Sequence, residues 1–296
     1  MNPEQELRQY MTSRAQHTFA KPFAFTGVGI HSGELATVTV NPAPENTGIV
    51  FIKSGIGNNE GIVEAKWNNV VETHLCTVIA NKNGHKIHTI EHLMAALYAF
   101  GIDNASIVID GNEVPTMDGS SRDFMIAFES VGKIQQDRQR TEIVILESIE
   151  IKRENKIVRL SPSNETKFTF DADFSNKGLP KQKYSVDLTC DSFKKEIMSA
   201  RTFGFHEEVT QLKKLGFARG GSLQNAILVK DGKVLNEEGL RYKDEFVRHK
   251  VLDSVGDTYL AGHRIRGHYY GNRSGHSLNN QLLRLLFSDP STYCYM

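Results

Sequence analysis

EFVRHKVLDSVGDTYLAG, residues 245–262, is the stretch whose reading decides the rest of the chain. At 3.6 residues per turn, Val247, Val251, Leu252, Val255 and Tyr259 fall on one side, which predicts an amphipathic helix. Asp244 precedes it as a candidate N-cap, and Gly262 follows the last periodic residue. Along the border of the apolar stripe run His249, Asp253 and Asp257, each four residues after the last. That spacing stacks an imidazole and two carboxylates on one face. One reading is a solvated edge carrying an ordinary His–Asp pair. The other is a metal site, with His249 and Asp253 as ligands and Asp257 outside them.

Working outward, the second half opens with strand-like runs (TEIVILESIEIK, KIVRLSPS, KFTFDADF, YSVDLT). A strand, a helix from Glu207 to Leu215, a glycine turn and another strand follow. After residues 245–262 come the strand RIRGHYYG, the loop NRSG and a last helix, HSLNNQLLRLLF. The first half has the same order. Its strands surround a glycine-rich loop bearing His31, and a hairpin turns at Asn83-Gly84. A helix is predicted from Thr89, its candidate N-cap, to Gly101; then come the strand ASIVID, the loop GNEVPTMDGSS and the helix RDFMIAFESVG. The polar run 133–140 reads as a linker, and residues 1–16 as an extension.

His92 lies 27 residues before Gly119, and His249 lies 26 before Gly275. The chain therefore reads as a diverged duplication: two α+β domains, 17–138 and 139–296, alike in architecture. The long helix of each half carries a histidine near its start. Packed face to face, the two helices would bring those histidines together.

The bulk numbers narrow the class. The 296 residues suffice for two domains with real cores, and 35 basic residues balance 35 acidic ones. No global field points to nucleic acid or an anionic surface. Three widely spaced cysteines, Cys76, Cys190 and Cys294, argue against a disulfide framework. No apolar run approaches the roughly 20 residues of a membrane span, and the polar start lacks a secretory h-region. A cytoplasmic monomer is the expectation.

A hydrolytic zinc site needs three protein ligands, a water and a base. His92 is the best third ligand beside His249 and Asp253, and Glu91 next to it suits the base. His276, opening the last helix, is a capping or surface histidine on one reading. On the other it is a cation that stabilises an oxyanion or protonates a leaving amine, oriented by Asp257. Thr202, between an arginine and an aromatic, is either a plain strand threonine or a donor to the same oxyanion.

TGVGIHSG, HTIEHLMAAL, VPTMDGSS, SARTFGF, GGSLQNAIL, NEEGLRYKDEFVRHKVLDSVGD and SGHSLNN together resemble the LpxC family, the UDP-3-O-acyl-N-acetylglucosamine deacetylases of lipid A biosynthesis. The resemblance runs from about residue 16 to 288. It implies zinc ligands His92, His249 and Asp253, with Glu91 as base, His276 as acid, Asp257 orienting it and Thr202 at the oxyanion. It implies one Zn2+ per chain, with Fe2+ the alternative in the cell. Lys250 would contact substrate, Phe203 would line the sugar-nucleotide site, and His31 would lie near the metal. The implied fold is two α+β domains with paired helices between two sheets, each domain carrying an insert. The second insert, about 192–230, would form a passage for the acyl chain, lined by Val209, Leu212, Leu215, Ala218, Ala226 and Leu228. His74 and His206 depart from the expected pattern and would alter chain entry or attract a second, inhibitory metal.

The substrate expected is the UDP-linked, 3-O-acylated N-acetylglucosamine. Rival readings are a zinc amidohydrolase for another acetylated sugar or a peptide, and a non-catalytic sugar-nucleotide or lipid-binding protein. A purely structural α+β protein ranks last, since packing gives no reason for two carboxylates and an imidazole on one helix face.

Overall fold

The computed structural model describes residues 14–57 and 59–296. The expected extension lies, up to residue 13, outside the described residues; Ala15–Phe19 is already a strand. Two five-stranded sheets carry the molecule. The first uses β1 (Phe23–Val28), β2 (Leu35–Pro42), β3 (Ile49–Lys53), β4 (Ile62–Glu64) and β5 (Ala105–Ile109) in the order β1-β2-β5-β3-β4. The second uses β6 (Ile149–Arg153), β7 (Lys156–Ser161), β8 (Lys167–Ala172), β9 (Gln182–Asp187) and β10 (His268–Asn272) in the order β6-β7-β10-β8-β9. In both, the late strand pairs antiparallel with the second and parallel with the third. Identical order and sense in two halves is what a duplication leaves behind, and the fold is the α+β pair of similar domains.

Six described α-helices accompany the sheets: α1 (Glu91–Phe100), α2 (Arg122–Val131), α3 (Cys190–Glu196), α4 (His206–Lys214), α5 (Glu245–Tyr259) and α6 (His276–Ser288). α1 and α5 lie between the two sheets and pack on each other. All ten residues of α1 are buried, and thirteen of the fifteen in α5. The amphipathic reading of α5 is thereby corrected: its polar edge faces the partner helix rather than solvent. Each half interrupts its sheet just before the long helix. The first insert is a small antiparallel sheet of Val70–Glu72, Val78–Ala80 and Lys86–Ile87. The second is a βαβ unit in which Phe203–Phe205 pairs parallel with Ile227–Lys230 across α4.

Four local expectations need correction. Residues 133–140 are no linker: Lys133–Gln139 is a strand paired with Ala15–Phe19, and its polar sequence reflects two exposed faces. Thr89 does not cap α1. Its backbone is left-handed (φ 57°), and its hydroxyl donates to Glu113 instead. α3, absent from the sequence reading, starts with a capping box in which Thr189 and Ser192 bond reciprocally. Asp244 precedes α5 but spends its carboxylate on Arg248 at 2.6 Å rather than on a helix N–H.

Candidate active site

α1 and α5 approach closely because Gly256 has no side chain. A Cβ there would sit 2.8 Å from the carbonyl carbon of Glu91, nearer than carbon atoms pack. The crossing sets Glu91 and His92, on the first turn of α1, against His249, Asp253 and Asp257 of α5. The His92 and His249 rings lie edge to face with centroids 4.9 Å apart. Asp253 Oδ1 is 3.6 Å from His92 Nε2 and 3.3 Å from His249 Nε2. These three side chains are buried, and each offers a ligand atom within 4.8 Å of the others.

Donor chemistry tests whether a metal fits. The carbonyl of Ala200 lies 3.0 Å from His249 Nδ1. A carbonyl only accepts, so Nδ1 carries the proton and Nε2 presents its lone pair toward Asp253. Burial drives the His249 pKa down to about 3, so the ring is neutral as a ligand must be. Burial also opposes the charge on Asp253, but the Lys250 cation beside it helps hold the carboxyl well below its usual range. Lys250 Nζ donates to Asp253 Oδ2 at 2.8 Å, while Oδ1 is buried with no hydrogen bond. An ionised, otherwise unpartnered oxygen facing the His249 lone pair, with the His92 ring beside it, is costly without a cation. The residues fit a divalent metal.

A second cluster adjoins the first. Asp257 Oδ1 accepts the Thr77 hydroxyl at 2.6 Å, and Oδ2 lies 2.8 Å from both His276 Nδ1 and Asn279 Nδ2. Tyr269 donates to Asn279 Oδ1 at 2.6 Å and so orients its amide. Burial alone would lower the His276 pKa; Asp257, aided by Glu91, outweighs it and raises it to about 10. The imidazolium Nε2 faces Glu91 Oε1 at 3.9 Å, and Glu91 Oε2 accepts the Thr77 N–H at 3.1 Å. Burial lifts Glu91 above the ordinary carboxylate range, with His276 and His92 pulling back. A carboxylate of raised basicity thus shares a pocket with a stable imidazolium.

Around these groups is a cavity of about 410 Å³. It brings together Glu91, His92, Thr202, Phe203, His249, Lys250, Asp253 and His276. Val209, Leu212, Ala218, Ala226 and Leu228 of the second insert form its apolar arm. Asp257 stands behind His276 rather than on the wall. Leu215 is no part of the lining; it is 72% exposed. His206 opens α4 outside the cavity, and His74 lines an adjoining groove with Phe174, Lys250 and Arg273.

The frame is polar and buried. Arg201, 1% exposed, binds Glu245 at the start of α5 at 2.9 Å, which fixes Ala200 and Thr202 on either side of it. Glu113 accepts the N–H groups of His31 (2.9 Å) and Ser32 (2.7 Å), holding that loop over the cavity with the His31 ring in its wall. Thr77, Ala200, Glu113, Gly256 and Asn279 escaped the sequence reading. Only Gly256, beside the Asp253–Asp257 pair, left a local hint.

Comparison with known proteins sharpens the picture. The family model described as UDP-3-O-acyl N-acetylglycosamine deacetylase (LpxC) matches residues 16–288. The chain belongs to the LpxC family. Relatives named UDP-3-O-acyl-N-acetylglucosamine deacetylase include one from Campylobacter lari, 42% identical over 278 residues, covering 94% of this chain and 93% of that one. One from Campylobacter hominis is 41% identical over 278 residues with the same coverage. One from Neisseria meningitidis serogroup C is 42% identical over 281 residues, 94% and 92% of the two chains. No helix among the described residues is long and apolar enough to cross a membrane.

Proposed function

We propose that this LpxC-family chain hydrolyses the 2-acetamido group of UDP-3-O-acyl-N-acetylglucosamine, releasing acetate and the free amine, in the cytoplasm and as a monomer. One observation carries the reading. Three buried ligand atoms converge beside a carboxylate–imidazolium pair, in a cavity whose other arm is apolar.

His92, His249 and Asp253 would hold the metal, and two imidazoles with a carboxylate suit Zn2+. When bound, zinc supplies Lewis acidity, lowering the pKa of a bound water to about 7 and polarising an amide carbonyl. Glu91, of raised basicity, takes the proton from the water that attacks the amide carbon. The Nε2–H of His276, and the Thr202 hydroxyl at the cavity wall, are placed to stabilise the oxyanion. As the C–N bond breaks, a proton passes to the departing amine from His276 or back from Glu91. Asp257 keeps the imidazole charged and oriented throughout.

Specificity follows from the walls. Lys250, beside Phe203, faces a groove lined also by Lys156, Lys177 and Arg273, the last two paired with Glu208 and Asp173; its excess of cations over acids suits a diphosphate. The apolar arm suits the 3-O-acyl chain. We take 17–138 and 139–296 as the two domains, with the insert at 192–230 supplying that arm.

Metal content and turnover, measured together, test the assignment. His249→Ala is expected to lose both zinc and activity. Glu91→Gln is expected to keep zinc and lose roughly 10²- to 10⁴-fold in rate. Full zinc loss in Glu91→Gln, or full zinc and activity in His249→Ala, contradicts these roles. Iron rather than zinc in protein purified without added metal would reassign the ion and leave the residues' roles intact.

A further inference from the structure

The segment KKLGFAR, residues 213–219, turns two large apolar side chains and three cations to the outside of the second insert. Leu215 is 72% exposed and Phe217 37%. This exposure is built into a rigid turn. At the end of α4 the Gly216 N–H bonds to the Lys213 carbonyl at 3.1 Å and the Phe217 N–H to the Leu212 carbonyl at 2.9 Å. With Gly216 left-handed (φ 87°), that is a Schellman cap. Downstream, the N–H groups of Arg219 and Gly220 bond to the carbonyls of His31 and Ile30 at 3.2 and 3.1 Å, tying the turn to the other domain. Lys213, Lys214 and Arg219 have no acidic partner among the described residues.

The turn also borders the cavity: Leu212, Lys213 and Ala218 line its apolar arm, while Lys214, Leu215 and Phe217 lie outside. Exposed apolar groups ringed by unpaired cations are the composition of an interfacial lipid anchor. A protein partner would leave these cations to seek acidic side chains one by one; an anionic bilayer satisfies them together while taking up Leu215 and Phe217.

We propose that residues 213–219 dock on an anionic lipid surface, setting the mouth of the apolar arm at the bilayer. The link to the arm rests on the acyl-chain role proposed above; the docking does not, and it is read without substrate.

The test is cosedimentation of the full chain with phosphatidylcholine vesicles, with and without phosphatidylglycerol. Binding is expected only with the anionic lipid and should weaken as salt rises. Lys214→Gln and Arg219→Gln should each reduce affinity about fivefold. Leu215→Ser with Lys214→Gln should abolish binding and leave hydrolysis of a vesicle-free substrate unchanged, since neither side chain lines the cavity. Phe217→Trp provides a second readout. Its added emission should shift to the blue on vesicles and be quenched by brominated acyl chains, while Trp67 in the parent chain does neither. Absence of binding at low salt, binding indifferent to all these substitutions, or an unshifted Trp overturns the proposal. So does a self-association in lipid-free solution that Leu215→Ser removes, since the face would then belong to a second copy of this chain.

Discussion

Gly256→Ala is the substitution that probes the architecture of the site without touching any group that does chemistry. The new Cβ would lie 2.8 Å from the Glu91 carbonyl carbon and 3.1 Å from its Cα. The Glu91 carbonyl oxygen would be nearer still, and carbon atoms pack at about 3.5–4.0 Å, so α1 and α5 must part by roughly 1 Å or more at this level. Both neighbours are main chain of Glu91 in the fully buried α1, so no rotamer change relieves the clash. The overpacking cost is about 1–3 kcal/mol, read as a lower midpoint in chemical denaturation. The functional cost is larger relative to its size. Glu91 and His92 move as a unit away from Asp253 and His276, and a displacement near 1 Å costs on the order of 10² in rate. Metal affinity should fall in parallel, because His92 and Asp253 sit on opposite sides of the opened seam. The assay is kcat/KM and metal titration on folded protein, with Gly57→Ala, where nothing lies within 4 Å, as the neutral control. A folded Gly256→Ala variant with parental turnover and metal affinity would refute the claim that this crossing sets the site.

Four further outcomes follow from the same geometry. Asp257 holds His276 protonated up to about pH 10, so Asp257→Asn should move the high-pH limb of the rate profile down toward the usual imidazole value near 6.5; an unmoved limb contradicts the pairing. The sign is the same for stability: a raised histidine pKa contributes fully below about 6.5 and is lost as pH rises through about 10, so the parent should lose stability across that window and His276→Gln should not. Arg201→Met leaves Glu245 buried without its cation and should cost about 3–5 kcal/mol in urea denaturation, whereas a loss under 1 kcal/mol would mean the pair is not framing α5. Ala226→Asp should depress kcat/KM for a long-chain substrate far more than for its unacylated counterpart; an unchanged ratio would remove the apolar arm from substrate binding.

How much of this was legible in the sequence depends on how local each signal is. The i,i+4 ladder of His249, Asp253 and Asp257 lies within one helix, so its spacing alone brought those groups to one face. The duplication was visible because two histidine-to-glycine spacings repeat, and the two sheets share one strand order. What escaped was set by contacts across the chain. Thr77 reaches Asp257 180 positions away, and Ala200 reaches His249 across 49, so neither could be found by pattern. Thr89 had the composition of an N-cap, but Glu113 captures its hydroxyl and turns its backbone left-handed. Lys133–Gln139 lacked strand alternation because neither of its faces meets the core. Leu215 matched the helical period of the passage residues, yet the cap at Gly216 ends the helix just before it and turns it outward.

Acetate release by the zinc-loaded chain, compared between UDP-3-O-acyl-N-acetylglucosamine and the same sugar nucleotide without its acyl chain, tests the central claim most directly. Each buried methylene of the chain is worth up to about 0.8 kcal/mol, so the acylated substrate should be hydrolysed with kcat/KM higher by several orders of magnitude, and part of the gain should appear in kcat. Equal turnover of the two, or no acetate from either with zinc bound at one per chain, would contradict it.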